Sequence, residues 1–147
     1  MKYAHTIQIT VFATPEEQGE VEKTLIALLD FDPQEEKLAI QHESALGVEK
    51  EKIMILRMVF NKERHTSGFL NHLLEKLGPD QKELLCEQAE SRLDEELHFF
   101  IRLHKSKLLE GEYLITDSGN CYHINITLAV YPHKRAVALA LLHKLFK

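Results

Sequence analysis

The sharpest pattern in the chain is strict alternation of apolar and polar positions over residues 98–104 and again over 122–131. That is the period of a strand with one buried and one wet face. Phe99, Ile101 and Leu103 point one way in the first run, and Tyr122, Ile124, Ile126, Leu128 and Val130 in the second. His98, Phe100, Arg102 and His104, then His123, Asn125, Thr127 and Tyr131, point the other way. Between the runs lie a basic loop, His104-Lys105-Ser106-Lys107, and a turn, Asp117-Ser118-Gly119-Asn120. The apolar set specifies a core. The polar set, rich in Arg, His, Asn and aromatic residues, is the constellation best suited to carry a function.

Residues 3–12 read as a first strand, with Tyr3, His5, Ile7, Ile9 and Val11 on one side and Ala4, Thr6, Gln8 and Thr10 on the other. Thr14-Pro15-Glu16-Glu17 then opens a helix: Thr14 suits the N-cap, Pro15 the first helical position, and Glu17 completes a capping box. Val21, Leu25, Leu28 and Leu29 form its apolar stripe, and Pro33 disfavours helix at Asp32. Residues 37–44 predict a short strand, and residues 53–60, IMILRMVF, a strand apolar on both faces except at Arg57. Such a strand is central or covered, so Arg57 needs a reason to be there. Ser67 is the expected cap of a second helix carrying Phe69, Leu70, Leu73, Leu74 and Leu77. Gly78-Pro79 ends it and opens a third helix to about residue 97. There Leu85, Ala89, Leu93 and Leu97 face inward, and Glu83, Glu87, Glu90 and Asp94 form an acidic stripe that an ordinary solvated face explains. Pro132 is the expected start of a last helix to residue 146. It is apolar around most of its circumference, which predicts deep burial, in part against a partner chain. The order is β-α-β-β-α-α-β-β-β-α. This predicts an α+β domain over residues 1–147, two-layered, with a mostly antiparallel sheet and helices packed on one face.

Length sharpens this picture slightly: 147 residues can bury a core without metal or disulfide staples. No run of apolar residues is long enough to span a membrane, and the N-terminus passes directly into a strand pattern, so no signal peptide is expected. Cys86 and Cys121 are isolated and read as reduced packing residues of a cytoplasmic protein. The net charge of −5 argues against indiscriminate nucleic-acid binding, but its distribution is uneven. Residues 1–52 hold five basic and eleven acidic side chains, residues 53–97 six and nine, and residues 98–147 seven and three. The third of the chain with the alternating runs is therefore the basic one, which points to an anionic partner.

If helices cover one face of the sheet, the other carries Thr6, Gln8, Thr10, Arg57, Phe100, Arg102, His104, His123, Asn125 and Tyr131, provided register brings them together. An open antiparallel face with arginines and aromatics is how several RNA-binding modules stack and clamp unpaired bases; an ordinary hydrated face is the plainer reading. Arg102, Lys105 and Lys107, and at the start of the last helix Lys134 and Arg135, are cationic clusters able to meet phosphate. So is Lys62-Glu63-Arg64-His65, ahead of the second helix. Nine histidines raise the question of a metal, and their spacing answers it. His65 and His72 are about 10 Å apart along a helix, and His98 and His104 about 20 Å apart along a strand. HExxH, Cys/His grouping, GxSxG, GxGxxG and P-loop patterns are all absent, so neither metal, cofactor nor enzymatic activity is expected. Cys121 and His123 share a strand face, but a packing thiol explains Cys121 more simply.

The segment HFFIRLHKSKLLEGEYLITDSGNCYHINITLAVYP resembles the C-terminal signature of an archaeal RNA-binding family, also described as a predicted exosome subunit. That signature is an LFIRLDKQ-like strand and loop, a Gly, a Thr-Asp turn, and an alternating strand ending near a Pro. Phe99, Phe100, Ile101, Arg102, Leu103, Lys105, Gly111, Thr116, Asp117, Ile124 and Pro132 carry the match. His104 stands where the family has Asp and Ser106 where it has Gln; residues 42–47 match the family's glycine-containing loop only in part. The resemblance implies a fold like that of the ribosomal protein that binds 5S RNA, and an RNA partner.

The expected function is thus a non-catalytic RNA-binding protein, an accessory of RNA processing associated with the exosome, or of the ribosome. Arg57, Phe100, Arg102, His104, Lys105, Lys107, His123, Asn125, Tyr131, Lys134 and Arg135 are its candidate contact residues. The alternative is a protein–protein adaptor or homodimer that uses the apolar last helix.

Overall fold

The computed structural model describes residues 2–147. Strand β1 (Ala4–Ala13) leads through the first helix, α1 (Gln18–Leu29), to the hairpin of β2 (Gln41–Leu46) and β3 (Lys52–Phe60). Helices α2 (Glu63–Lys76), α3 (Pro79–Glu87) and α4 (Ala89–Arg92) follow, then β4 (His98–His104), the short α5 (Lys105–Leu109), β5 (Cys121–Leu128) and α6 (Arg135–Leu145). The sheet order is β2-β3-β1-β5-β4, and every neighbouring pair is antiparallel. The predicted α+β layout is the observed one. The middle strand of the expected β-β-β run, between residues 104 and 121, is reduced to one bridge, Leu103 to Ile115.

The core explains the layers. Ile7, Ile9, Val11 and Ala13 of β1, Leu56, Met58 and Phe60 of β3, Phe99, Ile101 and Leu103 of β4, and Tyr122, Ile124, Ile126 and Leu128 of β5 all join it. These residues share one face of the sheet, by alternation and register. Every helix that contributes to the core packs on that face: Val21, Leu25 and Leu28 from α1, Phe69 and Leu73 from α2, Leu85 from α3, Ala89 from α4, Leu108 from α5, and Leu142 from α6. Among the described residues, the opposite face contributes none to the core, and its polar side chains keep partial exposure. It is open.

Local departures from the sequence reading have physical causes. The register shifts between Ala4 and Thr6, so Ala4, not His5, joins the buried side. Helix α2 begins at Glu63, a turn before the expected cap Ser67, because His65 and Thr66 bury themselves in its first turn. The long third helix breaks at Gln88 into α3 and α4, and ends at Arg92 because Leu93 returns to extended backbone. Helix α6 begins at Arg135, not Pro132; Lys134 occupies its N-cap. Its apolar circumference is largely absorbed within the chain: Phe146 packs on Phe99 at 5.7 Å, and none of the large exposed hydrophobic side chains belongs to it. No helix among the described residues is long and apolar enough to cross a membrane.

Candidate nucleic-acid interface

The open face is ordered by register into rows that run across the strands. Gln41 pairs with Arg57, Arg57 with Thr10, Thr10 with His123, and His123 with Arg102. One pleat further along, Val59, Gln8, Asn125 and Phe100 form a parallel row. Arg57, Phe100, Arg102, His123 and Asn125, far apart in the chain, are therefore neighbours on one surface. Three spacings between strands put Arg57 and Arg102 about 14 Å apart along their row.

Their environments differ. Arg57 lies 3.8 Å from Glu43, an exposed pair of small energetic weight, and its Nε is a buried atom without a hydrogen-bond partner. Arg102 has no carboxylate within ion-pair distance among the described residues. Its charge is felt instead by its neighbours. Burial, reinforced by Arg102, holds the His123 imidazole below its usual pKa, so at neutral pH the ring is uncharged, with one donor and one acceptor. Burial raises the Cys121 thiol, only partly offset by Arg102, which keeps it a neutral, apolar group. Phe100 rests against His123 with ring centroids 5.5 Å apart, and against His98 at 6.4 Å. Asn125 presents an amide whose Oδ1 is likewise buried and unpartnered.

The remaining candidate residues lie elsewhere or are engaged in holding the fold. Lys105 is buried in α5, its Nζ donating to Glu17 Oε1 at 2.7 Å and to the Phe12 carbonyl at 3.1 Å. Two of its three ammonium donors are thus engaged within the chain. Lys105 is therefore not the free surface cation expected of the loop, because its stem packs and its head ties α5 to the entry of α1. His104 caps α5, its Nδ1 accepting from the Lys107 N–H at 3.2 Å, which supplies the acceptor that an Asp would offer at that position. Lys107 remains half exposed, 4.0 Å from Glu112. Arg135 donates to the carbonyls of Glu90, at 2.6 Å, and Leu93, at 3.0 Å, closing the end of α4. Lys134 is exposed beside it, in the helical layer rather than on the row. Tyr131 stands fully exposed beyond the end of β5.

One open-face residue escapes the sequence reading. Phe12 continues the outward series Thr6, Gln8, Thr10 and is 52% exposed, beside Ile55 on β3. The alternation contains that signal, but an aromatic at the last outward position of a strand reads as a core residue until the layer is known. Phe12 borders a cleft of about 360 Å³ on the open face, shared with Thr10, Cys121, His123 and the turn residues Gly119 and Asn120. A second hollow of about 210 Å³ continues past Phe12 and Asn120 toward Glu51.

Fold and site together define an open-faced, two-layer α+β protein whose polar chemistry is carried by the sheet. Residues 6–130 match the family described as "RNA binding", and the chain belongs to that family. It is 29% identical to the RNA-binding protein PAB1135 of Pyrococcus abyssi, over 90% of this chain and 86% of that one. Mth689, a DUF54 protein from Methanothermobacter thermautotrophicus, superposes with a TM-score of 0.80 at 25% identity, covering 99% of this chain and all of its own. AF2318 from Archaeglobus fulgidus shares the fold, with a TM-score of 0.83 at 24% identity over 97% of this chain and 99% of its own.

Proposed function

We propose that this chain is a non-catalytic RNA-binding protein and that the open face of its sheet is the contact surface. The observation that carries the reading is the row Arg57–Thr10–His123–Arg102: two cations flank neutral hydrogen-bonding groups on a face that no helix covers. Family membership supports the ligand class. Phosphates meet Arg57 and Arg102, Phe100 and Asn125 face the bases, and the half-exposed Lys107 adds charge at the strand end. Glu83, Glu87 and Glu90 are exposed on α3 and α4, so a polyanion is disfavoured along that part of the helical side. The wider role as an accessory of RNA processing, exosome-associated, or of the ribosome follows from the resemblance of residues 98–132. Co-purification with exosome subunits or ribosomal particles supports it; RNA binding without either removes it.

The contact surface is tested by charge reversal at Arg57 and Arg102 together, with circular dichroism to verify the fold. Affinity for an unpaired RNA should fall sharply at low salt. The slope of log Kd against log salt should shrink by about 1.4, since each phosphate contact to a single strand contributes about 0.7. An unchanged affinity and slope would move the surface elsewhere.

A further inference from the structure

The open face carries more than charge. Its cleft has a floor of Thr10 and His123, an apolar side at Cys121, an exposed aromatic at Phe12, and a wall made by the turn residues Gly119 and Asn120. At about 360 Å³ it lies at the small end of ligand-sized clefts, room for one planar ring system and its sugar. We propose that this cleft receives a single unpaired nucleobase of RNA, stacked on Phe12 and hydrogen-bonded along its edge by Thr10, His123 and Asn120. The inference rests on the sheet face being the RNA surface, and it narrows the partner to single-stranded or looped RNA.

Three observations point to a base and away from a phosphate or a duplex. The cleft itself contains no cation; the two arginines of the row stand outside it, Arg57 beyond Thr10 and Arg102 beyond His123, where a backbone would pass. His123 is neutral at physiological pH and so offers a donor and an acceptor, the complement of a base edge and a poor partner for phosphate. Finally, duplex RNA is read mostly through phosphates and 2′-hydroxyls across a wide groove. A face with few free cations, on a chain of net charge −5, is poorly equipped for that, whereas stacking on an aromatic is independent of net charge. Phe12 is ready for it: half its surface is exposed at a strand end, a state that water disfavours and a base relieves.

The chain contains no tryptophan, so Phe12→Trp installs a unique fluorophore at the proposed stacking position. Decamers of rU, rA and rC, and a ten-base-pair RNA duplex, are titrated into parent, Phe12→Trp, Phe12→Ala and the Arg57/Arg102 reversal. The parent should bind at least one decamer more tightly than the duplex. Phe12→Trp should retain that affinity, with its emission quenched by the decamer and not by the duplex. Phe12→Ala should weaken decamer binding between about 5- and 150-fold, with the salt slope unchanged. Phe12 is exposed enough that truncation spares the core. Decamer binding that is lost on arginine reversal but indifferent to Phe12→Ala, with no quenching, overturns the base cleft and leaves the RNA surface standing. A preference for duplex also overturns the cleft. Failure of the parent to bind any of these RNAs overturns both readings.

Discussion

Lys105 shows how one side chain can mislead by its type. In sequence it is a cation between two others near a strand end; in the fold it is a strut, buried and bonded to Glu17 and to the Phe12 carbonyl. Lys105→Met keeps the stem and removes the head. It should lower stability by about 1.5–3 kcal/mol at pH 7, the range for hydrogen bonds to charged groups, measured by urea unfolding. RNA affinity of the folded variant should be unaffected. The Glu17 carboxyl is held below its ordinary 4.5 by the Lys105 hydrogen bond first, then by that from the Thr14 N–H. A depressed carboxylate contributes stability that is present above pH 4.5 and lost as pH falls through the lowered value. The gap between parent and Lys105→Met should therefore narrow on acidification below pH 4.5. A gap that widens there would contradict the pairing. Nothing in the local sequence distinguishes Lys105 from Lys107. What separates them is the position of α1, eighty-eight residues away in the chain.

At the scale of elements, β4 and β5 were legible because alternation of period two survives any register, and β4 has the predicted bounds. Their partners were not, since β1 lies between β3 and β5 and only the folded sheet makes Arg57 a neighbour of Thr10. The split of α3 from α4 was equally hidden, because Leu85, Ala89 and Leu93 keep helical spacing across the break. The break has a purpose in the fold. It brings the almost wholly buried Arg92 to Asp117 at 3.0 Å and to the Phe100 carbonyl at 3.4 Å, while the Thr116 N–H donates to Arg102 O at 2.8 Å. Together these cover the outer edge of β4, which would otherwise invite pairing with another chain, and anchor the turn that walls the cleft. Arg92→Met should cost about 1–3 kcal/mol and speed amide exchange over residues 114–120 well before the β1–β3 pairing opens. Uniform exchange across the sheet would show that the turn is held by something else.

The whole molecule separates two surfaces that the sequence records only as uneven charge. Glu83, Glu87 and Glu90 of the acidic stripe fall on α3 and α4, and the row of Arg57, His123 and Arg102 falls on the open side of the sheet. The two-layer fold turns a charge imbalance along the chain into a directional one. The last helix contributes Ala138 and Leu142 to the chain's own core, and Phe146 just beyond it does the same. What the sequence could not carry is which face a given alternation presents to water, because that depends on where the helices settle. The most direct test is an isotope-edited NMR titration of the chain with an unpaired RNA decamer. Shifts should concentrate on Thr10, Phe12, Arg57, Phe100, Arg102 and His123 and in the turn at Gly119 and Asn120, with α1, α2 and α6 silent. Shifts centred on the helices, with that row unmoved, would contradict the account.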